Sequence, residues 1–502
     1  MLSSILVLPE PALEFRHGHK ALDPRDGLSL FGPFDVDAPG RPTSISYALI
    51  GTAAGIRSFS LFSPILQGPI ADNPETTNLQ LWPPYPGFDA AFHANWPAKP
   101  TRTHLLDDDL LEGAARKGDA HQRAFQVVNL VLAGIEYFRK NAEERIDLAI
   151  CVVPEYVWKN CRPLSHVVGP EGSPLPLRER KRRASGQLDL SRSYEPEPYR
   201  YSVDFRRQLK ARSMYSLIPI QIIRESTLRI GDPTGENRRT LTPLSDRAWN
   251  VGSAAYYKAG GKPWRLSTAR DGVCYVGLVY HRTAREMGDR TACCAAQMFL
   301  DTGDGVVLRG DFGKWFSPET REMHLTKDAA RDLMSRVLRE YDGLPGKVPL
   351  REVFLHYRSS ITELEFEGFK SACPPNVKVT GIHIRSDRRV RLFREGTRPI
   401  IRGTFWKTSE RSGFLWSSGF KDRLATYDGW ETPVPQRLVI EFGEANLKQV
   451  ATDIFGLTKL NYNSCRFGDS RPVTIGFSES VGEILVSNPT VKMASSKFRF
   501  YM

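Results

Sequence analysis

No CxxC pair occurs in this sequence and no two histidines stand at metal-ligand spacing, which excludes zinc ribbons, zinc fingers and thioredoxin-like dithiols. The seven cysteines, at 151, 161, 274, 293, 294, 373 and 465, are odd in number and scattered. They read as reduced, mostly buried thiols, not as a disulfide framework. No stretch approaches the roughly 18 consecutive apolar residues that a bilayer-crossing helix needs. The opening MLSSILVLPEPALEF has no positive flank, and Pro9 interrupts its apolar run, so it does not read as a secretory signal. A cytoplasmic protein is expected. An excess of acid is also missing: 69 Lys and Arg face 57 Asp and Glu, giving a formal charge of +12 and a pI near 9.3. Such a surplus attracts polyanions, of which nucleic acid is the commonest.

What is present is a chain of 502 residues, 41% of them hydrophobic, enough for two or three cores. Residues 1–100 are rich in Pro and Gly with short strand-like runs such as SYALIG, and read as a segment packing on the rest of the chain. Phe125, Val128, Leu132, Ile135 and Phe138 fall at helical spacing, and IDLAICVVP (146–154) reads as a buried strand. Residues 168–200, with GPEGSPLPL, RERKRR and EPEP, read as a solvated surface loop. A second α/β unit pairs the helical DFRRQLKARSMYS (204–216) with the strand IPIQII (218–223). Beyond the helix AWNVGSAAYYKAG, strands are predicted at 273–280, 292–300 and 305–310, then a helix at 325–343, a strand at 352–357, a helix from Thr362 and a strand at 377–384. That is the element order of an RNase H-like domain. No repeat of fixed period is visible.

Taken together, ALEFRHGHKALDPRDGLSLFGP, LKARSMYSLIPIQII, AAYYKAGGKPW, VGLVYHR, FLWSSGF, LTKLNYN and RPVTIGF come in an order that resembles the Argonaute family, and within it the short prokaryotic branch that lacks N and PAZ domains. The junction KAGGKPW ahead of the first RNase H-like strand is the most specific piece. The resemblance implies an α/β fold class, a Rossmann-like MID domain (101–255) succeeded by an RNase H-like PIWI domain (256–502), with 1–100 as an N-terminal segment.

A strand held by its 5′-phosphate needs fixed, charged donors, because a phosphate leaves water only for charge-assisted hydrogen bonds. Arg206 and Lys210, four residues apart, project from one helix face. Gln221 comes next, in the adjoining strand, and Lys258 sits at the junction. These four positions correspond to the family's guide 5′-phosphate pocket. The first is usually Tyr or His there, and an arginine offers the first base a poorer stacking face. By the same resemblance the C-terminal carboxylate, on Met502, reaches the pocket with a Mg²⁺ ion.

Two-metal cleavage of a phosphodiester requires several carboxylates. In cleaving relatives the positions matching Val279, Ser359 and Asn461 carry metal ligands, and here they do not. An inactive PIWI domain is therefore expected, not an enzyme. The competing reading, a nuclease built from Asp301, Asp304, Asp311 or Glu319, places metal ligands in glycine-rich turns where Asp ordinarily forms the turn itself. A nucleic-acid-binding scaffold without a guide is the third reading. The resemblance further implies a guide RNA, a single-stranded DNA target from plasmid or phage, and a heterodimer with an APAZ-containing effector. That effector would carry a TIR, sirtuin-like or nuclease domain, with NAD⁺ loss as the output of the first two.

Overall fold

The computed structural model describes residues 4–72, 78–141, 145–167, 197–231, 241–281, 292–300, 305–313, 323–344, 348–429, 431–487 and 497–502. The basic run at 178–183 and the acids Asp301, Asp304 and Glu319 lie outside them. The described residues form, in chain order, the strands β1 (Ser4–Val7), β2 (Leu13–Glu14), β3 (Lys20–Ala21), β4 (Tyr47–Gly51), β5 (Arg102–Leu105), β6 (Leu148–Val153), β7 (Ile220–Arg224) and β8 (Arg265–Leu266). The series continues with β9 (Val273–His281), β10 (Ala292–Leu300), β11 (Gly305–Gly313), β12 (Glu352–Tyr357), β13 (Lys378–Ser386), β14 (Thr404–Lys407), β15 (Ser412–Trp416) and β16 (Gln436–Phe442).

The first α/β layer is a parallel sheet in the order β5-β4-β6-β7. Its central strands, YALIG and LAICVV, are buried along their whole length, as expected of parallel strands covered on both faces. The helix Ala120–Asn141 turns Val127, Val128, Val131, Ile135 and Phe138 into one core. Phe205 and Leu209 of the helix Phe205–Ser213 join them there. The latter helix begins where Asp204 accepts hydrogen bonds from the backbone N–H of Arg206 and Arg207 at 3.0 and 3.3 Å, satisfying two orphan donors of its first turn.

Because β4 is an inner strand of this sheet, the expected boundary at residue 101 is corrected: SYALIG belongs to the MID sheet. Its strand character was plain in the sequence, but its pairing was not, because its partners lie far along the chain at Arg102–Leu105 and Leu148–Cys151. The expected boundary at 255/256 likewise falls inside one helix, Leu244–Ala259, which runs on to a left-handed Gly260 (φ 111°).

The second layer is a nine-stranded sheet in the order β1-β14-β15-β16-β13-β12-β9-β10-β11. Strands β9, β10 and β11 run antiparallel in succession, while β12 is parallel to both β9 and β13. Alternate residues of β9 divide between two cores. Cys274, Val276, Leu278 and Tyr280 pack with the helices Lys327–Asp342 and Glu363–Ala372. Tyr275 and Val279 face the other way, into the core that holds Val473 and Ile475 of the helix Val473–Val486. Gly277 lies on that second face, and a Cβ there would stand 2.2 Å from the Thr474 carbonyl oxygen, so the close approach of helix and strand requires glycine.

The N-terminal segment is tied into both layers. β1 pairs with β14, and β2 lies between β3 and β8. Buried Arg25 bonds Asp23 and the Leu81 carbonyl, and Lys459 reaches Glu10 at 2.7 Å. No described helix is long and apolar enough to cross a membrane.

Candidate functional site

A cavity of about 160 Å³ opens between the helix Phe205–Ser213, the helix Val473–Val486 and the residues at 501–502. Arg162, Arg206, Lys210, Asn463, Tyr501 and Met502 line it, with Asp204, Arg207 and Glu483 at its edge. The N-cap at Asp204 fixes the helix so that Arg206 and Lys210 share the face turned to the cavity. Lys210 Nζ donates to the Tyr501 carbonyl at 3.2 Å. Gln221 and Lys258 form an adjoining pair, in which Lys258 Nζ donates to Gln221 Oε1 and, at 3.1 Å, to the Ile220 carbonyl. The structure thus brings Arg206, Lys210 and Met502 to one cavity, with Gln221 and Lys258 joined to each other beside it.

The electrostatics of the group are unusual for buried cations. Burial drives the Lys210 ammonium well below its ordinary pKa, and repulsion from Lys258 and Arg206 adds to it. Burial likewise pushes Lys258 down to about 7, with Arg206 contributing. Among the described residues neither ammonium forms an ion pair; both bond neutral oxygens. The nearby acids are engaged elsewhere. Asp204 caps its helix and stands 3.6 Å from Arg162, and Glu483 pairs with Arg207 at 2.5 Å. Among the described residues, Arg162 Nη1 and Arg206 Nε are buried without a hydrogen-bond partner, as is Asn463 Oδ1. Desolvated cations with open donors favour an incoming anion that can supply both charge and acceptors.

Sequence reasoning missed Arg162, Asn463 and Trp158. The guanidinium groups of Arg162, Arg206 and Arg224 lie 4.9, 5.1 and 5.1 Å from the Trp158 ring centroid. An aromatic face therefore stands directly beside Arg206, supplied from the helix Glu155–Asn160. The signal was the clustering of Trp158 and Arg162 just after β6, at the carboxyl end of a parallel strand, where ligands of open α/β sheets gather.

The remaining positions lie in the second layer. Val279 is buried in the core beneath the helix Val473–Val486. Ser359 comes just after β12 and is exposed. Asn461 donates to Asp469 Oδ2 at 2.8 Å and accepts from the Asn463 N–H at 3.0 Å. Among the described residues no group of three or more His, Cys, Asp or Glu could hold a metal ion. Asp311 lies in β11.

No family model matches the chain, and no curated protein is similar to it at a significant level. Solved structures are similar across almost its whole length. The Clostridium butyricum Argonaute, bound to a guide DNA and a 19-mer target DNA, matches with a TM-score of 0.63 at 14% identity, over 99% of this chain and 55% of that one. Aa-Ago with externally bound siRNA matches with a TM-score of 0.57 at 14% identity, over 99% and 56%. The Aquifex aeolicus Argonaute matches with a TM-score of 0.56 at 15% identity, over 100% and 57%. The chain thus spans little more than half the length of these Argonautes. At such identity the likeness establishes the fold: Argonaute-like, with a Rossmann-like layer succeeded by an RNase H-like one.

Proposed function

We propose that this Argonaute-like chain is a short, catalytically inactive Argonaute of the MID–PIWI type, which holds a small guide RNA by its 5′-phosphate and presents it for pairing with single-stranded DNA of an invading plasmid or phage. The observation that carries this reading is the cavity at Arg206 and Lys210. Buried cations there, without carboxylate partners and with open guanidinium donors, suit a phosphate monoester. In this mechanism Arg162, Arg206 and Lys210 contact the phosphate, while Lys258 and Gln221 stabilise it from the adjoining layer. Sequence specificity then belongs to base pairing, and the protein supplies backbone contacts and shape.

A Mg²⁺ ion fits the cavity only through Met502 and the phosphate itself, since Asp204 and Glu483 are already engaged. When bound, it would neutralise part of the phosphate charge. With no metal ligands at Val279, Ser359 and Asn461, the output of target recognition falls to another protein. We assign it to an APAZ-containing partner in a heterodimer, with a TIR NADase as the effector domain, oligomerising on target recognition and depleting NAD⁺.

The test is direct binding of labelled guides. A 5′-phosphorylated guide is expected to bind far better than its 5′-hydroxyl counterpart, and Lys210→Ala to remove much of the difference, at about 1.5–3 kcal/mol for each charge-assisted bond lost. Equal affinity for the two guides would replace this reading with a scaffold that recognises no guide end. Chelation by EDTA should weaken only the phosphorylated guide if the ion takes part.

A further inference from the structure

A second basic cleft stands on the other layer, apart from the phosphate cavity. It has a volume of about 490 Å³ and is lined by Arg358, Arg385, Arg388, Arg389, Arg471 and Ile475, together with Asp387. Its five guanidinium groups face one carboxylate, and that carboxylate is already held by Arg389 through bonds of 3.2 Å. Its position arises from the sheet. Tyr357 of β12 is in register with Leu278 of β9 on one side and with His383 of β13 on the other. One step further along the parallel strands brings Arg358 level with Val279 and Ile384, and Ser359 level with Arg385. The helix Val473–Val486, preceded by Arg471, closes the third side, directing its first turn at the same place. The cleft therefore lies at the carboxyl ends of β12 and β13, beside the positions whose carboxylates the sequence lacks.

We infer that this cleft is a metal-free clamp for backbone phosphates of the guide–target duplex, with arginines standing where metal-bound carboxylates would otherwise sit. The inference rests on the proposed guide-binding function. The chemistry favours a phosphodiester backbone over a carboxylate-bearing surface for two reasons. Guanidinium groups bind phosphate oxygens in a bidentate fork. In addition, the cleft is open and extended along strand ends, as a polymer with regularly spaced charges requires, and the helix N-terminus adds further positive potential. Arg385 and Arg388 are exposed, so they can be changed without opening a core.

The experiment uses the full chain loaded with a 5′-phosphorylated guide, and measures guide retention and target affinity separately across salt concentration. For R385Q/R388Q, guide retention is expected to stay unchanged while target affinity falls about tenfold and the salt dependence becomes shallower by about one unit per lost contact. Targets carrying one neutral methylphosphonate at a time should show a position where the unmodified protein loses affinity and the double variant does not. Unchanged target affinity and slope, with guide retention intact, would overturn the clamp. An acidic peptide bound in place of the target, with target affinity unaffected by the substitutions, would likewise overturn it. Failure of the unmodified protein to prefer the 5′-phosphorylated guide overturns the guide-binding function instead, and the two failures are distinguishable because they are read on different strands.

Discussion

Lys258 illustrates how a single buried cation couples binding to pH. Its folded-state pKa of about 7 lies below the ordinary 10.5, so between those values the unfolded chain holds a proton that the native state lacks. Stability of the free protein should therefore rise with pH across that window as far as this residue is concerned. Binding of a phosphate dianion works in the opposite direction, because it restores the proton to Lys258. Between pH 7 and 9 the phosphate's own charge is nearly constant, with its second pKa near 6, so guide affinity should fall as pH rises, by up to about tenfold per unit for one proton taken up. Fluorescence anisotropy of a phosphorylated guide at several pH values checks this, and K258M should flatten the profile. Arg162 offers a sharper test of what the sequence concealed. Nothing in NCRPL marks it as a phosphate ligand, yet Nη1 is buried and unpartnered beside Arg206. R162Q is expected to weaken a phosphorylated guide by about tenfold or more and a hydroxyl guide hardly at all, given the strength of charge-assisted bonds.

At the scale of elements, the helices and strands lining both sites were readable from pattern alone. DFRRQLKARS carries its own N-cap, TELE carries a capping box in which Thr362 and Glu365 bond reciprocally, and VCYVGLVY is an uninterrupted buried strand. Residues 387–471 were less legible: β14, β15 and β16 are short, half-buried and joined by Arg- and Gly-rich turns, so no single period dominates them. The close contact of β9 with the helix Val473–Val486 was also invisible, since it depends on a backbone approach at Gly277 between segments remote in the chain. G277A is expected to destabilise the fold by about 1–3 kcal/mol or more, because the added methyl meets a carbonyl that cannot swing aside. Thermal unfolding measures it. The same face explains why restoring one acid will not restore cleavage. V279D would put a carboxylate into the core beneath that helix, where burial opposes its ionisation. Neither the natural chain nor V279D is expected to cut a paired target with Mg²⁺ or Mn²⁺, and guide-directed cleavage by the natural chain would overturn the assignment of an inactive site.

For the molecule as a whole, the two layers are bound by chain segments far apart in sequence, and this is why the domain limits read from composition were misplaced. Composition marks where Pro and Gly cluster; it carries no information about which strand inserts between which others. β4 is hydrogen-bonded on both sides, to β5 and to β6, and deleting residues 1–100 would leave β5 with no partner strand among the described residues and expose the apolar edge of β6. The same deletion removes Glu10, to which Arg402 and Lys459 are both paired in the interior of the second layer, and Asp23 and Arg25 beside them. Lys459 would then be a buried cation stripped of its carboxylate, a change that costs about 3–5 kcal/mol when one member of a buried pair is lost. A chain starting at residue 101 should accordingly fail to give a cooperative unfolding transition and should elute as aggregate in gel filtration. The single change E10Q, which keeps the shape and removes only the charge, should leave the fold intact but lower its melting temperature, more so below pH 8, where Lys459, held down to about 8 by burial, carries its proton. A truncated chain that bound phosphorylated guide as the whole protein does would show that the first layer needs none of this scaffolding.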